Sequence, residues 1–453
     1  MQRMTAPARP ARLAGRAAPR LRPVRAEIGR SPVSAPVRGA GLGLLIAGIL
    51  ILAFNLRAAI TSLPPLFPEL HSSMHLSSAG QAFLAAIPVL CFGLFSGIAA
   101  PLSRAFGEER VLGAALVLLA GGLAMRGAAP GTLLFPGTVL AGGAIALMNV
   151  LLPSLVKRRR PERAGLLIGM YLLSLSVGAI VASAIAVPVY QSAAGGAVRL
   201  SLGLWAVPAL AAAALWLPQL RYQTRPALAP AGAEDTGAGL ASGSRRGRTV
   251  LWKSALAWQV TAFMGLQSLT YYAALSWLPT LFRDRGASAV HAGTLLALMG
   301  LGNAVTAWLV PLAAHRLPDQ RLLAAIWMVV TAAGLAGAAF APMGAAAGFA
   351  FVLGLGQGAS LGLAIFYTVA RAPDPVSAAS LSGFAQSLGY LVATTGPLLL
   401  GLLHSVTGGW AIPVAVLLGV VAAQLGTGWL AGRARTVPSV APGAAGPRVT
   451  APS

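Results

Sequence analysis

Acidic residues are scarce in this chain, and its long apolar segments contain none between their ends. The 453 residues include 10 Asp and Glu against 33 Lys and Arg; only 9% of all residues are charged, and 57% are hydrophobic. Soluble domains carry far more charge than this. The composition therefore predicts an all-α integral membrane protein.

Several kinds of chemistry are excluded by what is missing. The single cysteine, Cys91, rules out an internal disulfide and a cysteine-based metal site. No apolar segment contains histidines at metal-ligand spacing or a carboxylate pair for acid–base catalysis. No Gly-Lys-Ser/Thr loop that would cradle nucleotide phosphates is present. We therefore expect no metal, no cofactor, no enzyme activity and no direct use of ATP.

Twelve apolar segments are present, and roughly 20 helical residues suffice to cross a hydrocarbon core about 30 Å thick. The predicted spans lie near residues 44–67, 79–100, 111–128, 132–155, 165–189, 203–219, 253–278, 290–313, 322–341, 346–370, 379–402 and 410–431. The 54 Gly and 32 Pro are typical of helices in lipid, where small residues allow close approach and neighbours satisfy kinked backbone.

The basic residues predict the orientation. Of the 33 Lys and Arg, 28 lie in the N-terminal arm, in connections after even-numbered spans, or in the C-terminal tail. The connections after odd-numbered spans carry only Arg126, Arg199, Arg283 and Arg285. The positive-inside rule therefore places both termini in the cytoplasm. We expect the basic arm to be attracted to anionic lipid and not to bind nucleic acid.

Two matching stretches indicate an internal repeat. Ser62-Leu-Pro-Pro-Leu-Phe-Pro-Glu69 near the end of span 1 matches Trp277-Leu-Pro-Thr-Leu-Phe-Arg-Asp284 near the end of span 7, at an offset of 215 residues. Because six spans separate them, the two halves have the same orientation and form parallel repeats. The predicted organisation is a disordered basic arm at 1–40, a six-helix half at 41–219, a linker at 220–252, a second six-helix half at 253–432 and a disordered tail at 433–453.

Four strings are distinctive: Asn55-Leu-Arg-Ala-Ala-Ile-Thr-Ser-Leu-Pro-Pro-Leu-Phe-Pro-Glu-Leu70, Asn149-Val-Leu-Leu-Pro-Ser-Leu-Val-Lys157, Gly265-Leu-Gln-Ser-Leu-Thr-Tyr-Tyr-Ala-Ala-Leu-Ser-Trp-Leu-Pro279 and Gly383-Phe-Ala-Gln-Ser-Leu-Gly-Tyr390. They resemble the cyanate permease and 2-nitroimidazole transporter branch of the major facilitator superfamily, over about residues 41–432. The resemblance implies a twelve-helix major facilitator fold, alternating access, and small polar or anionic substrates. The loop Pro101-Leu-Ser-Arg-Ala-Phe-Gly-Glu-Glu-Arg110 departs from the superfamily pattern because it lacks the aspartate, which puts that loop's gating role in doubt.

Arg57 is the leading candidate for binding a substrate. It lies near the middle of span 1, and no span contains an acid to neutralise it, which is typical of a residue that binds an anionic or polar ligand. A guanidinium grips a carboxylate, a nitro group or a cyanate-like anion through paired hydrogen bonds. The alternative is an arginine that reaches the outer surface from a span ending at Leu56, but 41–56 is short for a crossing.

Polar side chains of other spans reach a similar depth, where contact with lipid would be unfavourable. The further predicted substrate-binding residues are Asn55, Asn149, Tyr171, Gln267, Tyr272, Gln357, Gln386 and Tyr390. The alternative for each is a hydrogen bond between helices. Glu69, at the outer end of span 1, is predicted to be a gate residue or a proton site.

These features predict a secondary transporter that moves a small polar or anionic solute, such as a cyanate-like anion, a carboxylate or a nitroheterocycle. We expect a multi-pass monomer of the plasma membrane. An efflux transporter for a drug or toxic metabolite is the alternative. A transporter-like sensor is a further alternative, for which an added signalling domain or a long structured tail would be expected.

Overall fold

The computed structural model describes residues 39–192, 197–221 and 250–440, and every regular element within these ranges is a helix. The helices used below are α1 (Gly39–Thr61), α2 (Phe67–Met74), α3 (Ser78–Phe95), α4 (Ala99–Phe106), α5 (Glu108–Ala128), α6 (Pro130–Arg159), α7 (Ala164–Gln191), α8 (Val198–Gly203), α9 (Ala206–Trp216), α10 (Ala255–Asp284), α11 (Ala289–His315), α12 (Arg321–Phe340), α13 (Ala346–Ala370), α14 (Pro375–Ala393), α15 (Thr395–Thr407) and α16 (Ala411–Ala431). Most of the predicted arm and linker, and the end of the predicted tail, lie outside the described residues.

Eleven helical segments in the described ranges are long and apolar enough to cross a membrane. The twelfth long helix, α10, has 30 residues but carries amides, hydroxyls and phenols along its length. Residues 267–279 of α10 are buried without interruption. Because other helices cover these polar groups, α10 can cross the bilayer without exposing them to lipid.

The first crossing contains a break just beyond Arg57. Helix α1 ends at Thr61, and a 3₁₀ turn, Pro64–Leu66, leads into α2, because prolines have no N–H to continue the helical hydrogen bonds. The Thr61 hydroxyl lies 3.0 Å from the carbonyl oxygen of Arg57 and 3.2 Å from that of Ala179 in α7. This hydroxyl therefore fixes the backbone around Arg57 against α7.

Two helix pairs join the first six crossings to the last six at one end of the bundle, which we call the Glu69 end; α2, α7, α10 and α15 end there. Gly293 of α11 packs so closely on α7 that a Cβ atom would lie 2.6 Å from the carbonyl oxygen of Ser183. Gly401 of α15 packs on α3, where its Cβ would lie 2.6 Å from that of Ala82. Small residues therefore allow the two halves to meet at this end.

At the opposite end, which we call the Glu108 end, acids form ion pairs within one half. Arg158 Nε lies 3.6 Å from Glu108 Oε1, and Arg159 Nε lies 3.3 Å from Glu109 Oε1. Both pairs connect the start of α5 to the end of α6, just after Gly107, whose φ is 87°. The loop that lacks the expected aspartate thus still leads into an ion-paired helix start.

Part of the predicted tail is ordered. The backbone N–H of Val437 donates to the carbonyl of Arg371 at 2.8 Å, and the hydroxyl of Ser439 donates to Asp374 Oδ2 at 2.8 Å. Arg371 in turn donates through Nε to the carbonyl of Ala431 at 2.8 Å. Residues 433–440, assigned from sequence to a disordered tail, therefore pack against the connection between α13 and α14.

Candidate functional site

Arg57 lies near the midpoint of the crossing that runs from Gly43 to Met74. Its guanidinium carbon lies 5.5 Å from the centre of the Tyr271 ring, within the range of a cation–π interaction. The side chain is partly exposed, and its Nη1 is buried with no hydrogen-bond partner. Arg57 therefore keeps at least one donor for a group that the protein does not supply.

Phenols cluster around this guanidinium. Four of them lie within electrostatic range of Arg57: Tyr171, Tyr271, Tyr272 and Tyr390. Phe92 of α3 packs between two of these tyrosines: its ring centre lies 6.4 Å from that of Tyr272 and 5.5 Å from that of Tyr390. Tyr171, Tyr272 and Tyr390 were predicted from sequence, and the fold brings all three to Arg57.

The predicted amides occupy different environments. Asn149 Oδ1 accepts a hydrogen bond from the Tyr171 hydroxyl at 3.2 Å. Gln357 is buried, and its Oε1 has no partner. Gln267 is also buried, and its Oε1 accepts from the Ser268 hydroxyl at 3.1 Å. Gln386 is exposed and donates to the Ser382 hydroxyl at 2.8 Å.

Asn55 is at the depth of Arg57 but faces another way. Its amide donates to the carbonyl oxygens of Ile51 at 2.7 Å and Pro208 at 3.0 Å, so it connects α1 to α9. Side chains two positions apart on an α-helix point in directions about 200° apart. Asn55 therefore lies on nearly the opposite face of α1 from Arg57. We therefore leave Asn55 out of the candidate site and assign it to helix packing.

Glu69 is 8% exposed and forms an ion pair with Arg283 at the end of α10. This contact connects the first half of the chain to the second at the Glu69 end. Both predicted roles of Glu69, as a gate residue and as a proton site, stay predictions.

Sequence reasoning missed a buried arginine close to this site, Arg126. Counted from sequence as part of a connection, it lies in the last turn of α5 and is 2% exposed. Its Nη1 donates to the carbonyl of Ala59 at 2.9 Å, while its Nε and Nη2 have no partner. The predicted span 111–128 contains Arg126, but the sequence does not show that its side chain is buried.

Neither arginine is neutralised by an acid. The ion pairs formed in the described ranges do not include Arg57 or Arg126, and no group of acidic, histidine or cysteine side chains there is placed to hold a metal. Burying a cation without a counter-charge is unfavourable. Such a site gains stability by binding an anion, or a polar solute with exposed oxygen atoms.

Comparison with known proteins identifies the class. The model of the Major Facilitator Superfamily matches residues 45–397. The chain is 41% identical to the 2-nitroimidazole transporter of Escherichia coli (strain K12) over 371 residues, or 82% of this chain and 91% of that protein. It is 29% identical to the cyanate transport protein CynX of the same organism over 378 residues, or 82% and 94% of the two chains.

Solved structures support the same architecture. A crystal structure of a D-xylose–proton symporter superimposes with a TM-score of 0.66 at 15% identity, covering 88% of this chain and 98% of that one. The fold is therefore the twelve-helix major facilitator fold, in two parallel six-helix repeats. The chain belongs to the major facilitator superfamily and is a membrane transporter.

Proposed function

We propose that this protein moves a small anionic or polar solute across the plasma membrane by alternating access, with Arg57 as the main substrate-binding residue. The observation that carries this proposal is the partly exposed Arg57 guanidinium, whose buried Nη1 has no partner and which has no acid beside it. The relatives named for cyanate and 2-nitroimidazole transport favour a cyanate-like anion or a nitroheterocycle as the solute, and the guanidinium also suits a carboxylate.

The surrounding side chains have complementary roles in this proposal. Arg57 binds an oxygen-bearing anion through its planar fork of donors. Hydroxyls of Tyr272 and Tyr390 supply further donors, and the rings of these two residues and of Tyr171 provide flat apolar surfaces. Four amide side chains of α6, α10, α13 and α14 complete the proposed set: Asn149, Gln267, Gln357 and Gln386. A planar solute of low charge suits this combination of one cation and several aromatic rings.

Alternating access requires one end of the bundle to be closed while the other is open. At the Glu69 end, the pair between Glu69 and Arg283 joins the halves. At the Glu108 end, the described ion pairs stay within a single half, as in Arg158 with Glu108. This asymmetry supports a state closed at the Glu69 end. The distribution of basic residues supports a cytoplasmic location for the Glu108 end and both termini.

Orientation is tested by labelling from outside intact cells. In a Cys91→Ala background, a cysteine at exposed Ser192 is expected to react with an impermeant maleimide, and one at exposed Ala434 is not. Labelling of Ala434→Cys alone would reverse the orientation. Size-exclusion chromatography with light scattering tests whether the protein is a monomer.

Efflux of a drug or toxic metabolite is the second candidate. The observation that favours it is the aromatic cluster of Phe92, Tyr272 and Tyr390, because such rings stack on neutral heterocycles. Uptake and efflux differ in the direction of net flux, which right-side-out and inside-out vesicles measure separately.

Substrate binding at Arg57 is tested by thermal shift of the purified protein with cyanate, small carboxylates and 2-nitroimidazole. A ligand at about a hundred times its Kd stabilises by about 2.7 kcal/mol. Arg57→Lys is expected to weaken binding at least about tenfold, because a charge-assisted hydrogen bond contributes about 1.5–3 kcal/mol. The control, Arg104→Lys, changes an exposed arginine at the Glu108 end. Unchanged affinity in Arg57→Ala would refute the proposal.

A further inference from the structure

A small cavity lies between Arg57 and the Glu69 end of the bundle. It is enclosed by α1, α3, α5, α6 and α10, and its volume is about 20 Å³. Its polar lining comes from Arg126, Thr138, Tyr272 and Ser276. A cavity of this size holds one particle of about the diameter of a water molecule.

Arg126 lines this cavity and has hydrogen-bond donors without a partner. The side chain is 2% exposed, and one of its three nitrogens, Nη1, is bonded to the carbonyl of Ala59 at 2.9 Å. The other two nitrogens, Nε and Nη2, are buried and have no partner. A buried cation with unused donors is unfavourable unless something occupies them.

The remaining polar groups do not compensate Arg126. The Thr138 hydroxyl donates to the carbonyl of Leu134 at 2.7 Å, and the Ser276 hydroxyl donates to that of Tyr272 at 2.7 Å. None of the residues that line the cavity is acidic. The cavity thus presents a positive charge and no negative one, which selects an anion over a cation or a neutral solute.

Helix packing holds Arg126 in this position. Helices α5 and α6 cross at Gly122 and Gly137, where a Cβ atom on Gly137 would lie 2.5 Å from the carbonyl oxygen of Gly122 and 3.1 Å from Cγ of Arg126. This close crossing leaves room only for the stem of the arginine. The guanidinium is therefore built into the protein interior and does not reach the bilayer surface.

The cavity adjoins the Arg57 site without being part of it. Ala59, which accepts the bond from Arg126, lies two residues beyond Arg57 on α1, a rise of about 3 Å toward Glu69. Tyr272 lies beside Arg57 and also lines the cavity. The two arginines are thus consecutive positive positions on a line from the middle of the bundle to the Glu69 end.

We propose that Arg126 forms a second anion-binding site, which holds one small monovalent anion between the Arg57 site and the Glu69 end. The site is separate from the proposed substrate site and does not depend on what Arg57 binds. An anion there accepts hydrogen bonds from Nε and Nη2 of Arg126. It neutralises the buried charge while the Glu69 end is closed.

Bromide provides a direct test in the unaltered protein. Anomalous diffraction from wild-type crystals grown in sodium bromide is expected to give a peak within hydrogen-bond distance of Nη2 of Arg126. Absence of that peak at saturating bromide would overturn the proposal. Because this measurement needs no substitution, it stands even if a variant fails to fold.

Stoichiometry separates the two sites. Equilibrium dialysis with radiolabelled chloride, a monatomic anion, is expected to give two anions per chain in wild type and in the control Arg199→Gln, an exposed arginine near the same end. Arg126→Gln and Arg57→Gln are each expected to bind one, and Arg126→Lys to retain two at lower affinity. Equal binding by wild type and Arg126→Gln would overturn the second site. If Arg126→Gln binds one anion fewer than wild type but Arg57→Gln does not, the second site is supported and the role proposed for Arg57 is refuted.

Discussion

Arg283 donates a hydrogen bond to the carboxylate of Glu69, and this ion pair joins α2 to α10 across the two halves of the fold. The internal repeat aligns Glu69 with Asp284, the neighbour of Arg283. Asp284 itself accepts a hydrogen bond from the indole of Trp410 at 2.8 Å. Equivalent segments of the two repeats thus provide the two partners of this contact at the Glu69 end.

Breaking this ion pair is expected to open the Glu69 end more often. In a Cys91→Ala background, a cysteine at buried Ser276 reports on access, since that residue lines the cavity beneath the contact. We expect Glu69→Gln to raise its rate of maleimide labelling severalfold, because the halves lose a charged contact.

Two controls make the result specific to the ion pair. The charge-reversed double variant Glu69→Arg with Arg283→Glu is expected to return labelling of Ser276→Cys to the reference rate. Glu162→Gln, which removes a surface partner of Arg160 at 3.7 Å, is expected to have no effect. If Glu69→Gln labels at the reference rate, the pair does not hold this end closed.

The fold and the main charge of the site follow from the sequence, but the direction of side chains does not. Apolar run length and the placement of basic residues indicate how deep a residue lies. Asn55 and Arg57 share a depth, yet Asn55 bonds to Pro208 while Arg57 lies over Tyr271. That difference depends on which helices pack on each face of α1.

Arg126 illustrates a second limit of prediction from sequence. The count of basic residues assigned it to the connection after span 3, although the predicted span 111–128 contains it. Its burial results from the close crossing of α5 and α6 at Gly122 and Gly137. Contacts between packed helices, which the repeat pattern does not encode, decide where this guanidinium lies.

The contrasting environments of Asn55 and Tyr272 predict opposite phenotypes. Asn55→Ala removes hydrogen bonds between helices, which in membranes contribute on average roughly 0.6 kcal/mol each, so we expect a lower Tm and unchanged ligand affinity. Tyr272→Phe keeps the ring contact with Phe92 but removes the hydroxyl beside Arg57. It is expected to weaken ligand binding with little change in Tm. Thermal unfolding with and without ligand measures both, and the reverse pattern would contradict the assignment.

The hydrogen bonds that Asp374 accepts at the start of α14 predict that the stability of the protein depends on pH. The Ser377 hydroxyl donates to Asp374 at 2.6 Å and the Ser377 backbone N–H at 2.8 Å, which holds the pKa of Asp374 below its usual 3.8. A carboxylate with a lowered folded-state pKa stabilises the fold above the unfolded pKa, and this contribution is lost as pH falls through the folded pKa.

Asp374→Asn is therefore expected to lower the Tm at neutral pH, with the gap to wild type closing as pH falls below 3.8. Thermal unfolding of detergent-purified protein across this range measures the gap. Glu162→Gln, which removes another carboxylate at the Glu108 end, serves as the matched control. A gap that stays constant with pH would show that the charge of Asp374 does not contribute.

Proton coupling is the last property that the arrangement of charges predicts. Proton-driven transporters commonly relay protons through carboxylates within the membrane, and the nearest candidate here, Glu69, is already paired with Arg283. We therefore expect Glu69 to act at the gate, and protons to travel on the solute or not at all.

Uptake into proteoliposomes with and without an imposed pH gradient tests this expectation, using a transported solute that keeps one ionisation state across the gradient. In wild type, the pH gradient is expected to leave the steady-state concentration of the solute inside the proteoliposomes unchanged. Glu69→Gln is expected to alter the rate of exchange, because the Glu69 end opens more often, but not the final distribution. If the gradient drives accumulation in wild type, and Glu69→Gln abolishes accumulation while keeping exchange, then Glu69 is the proton site and the ion pair with Arg283 must break during each transport cycle.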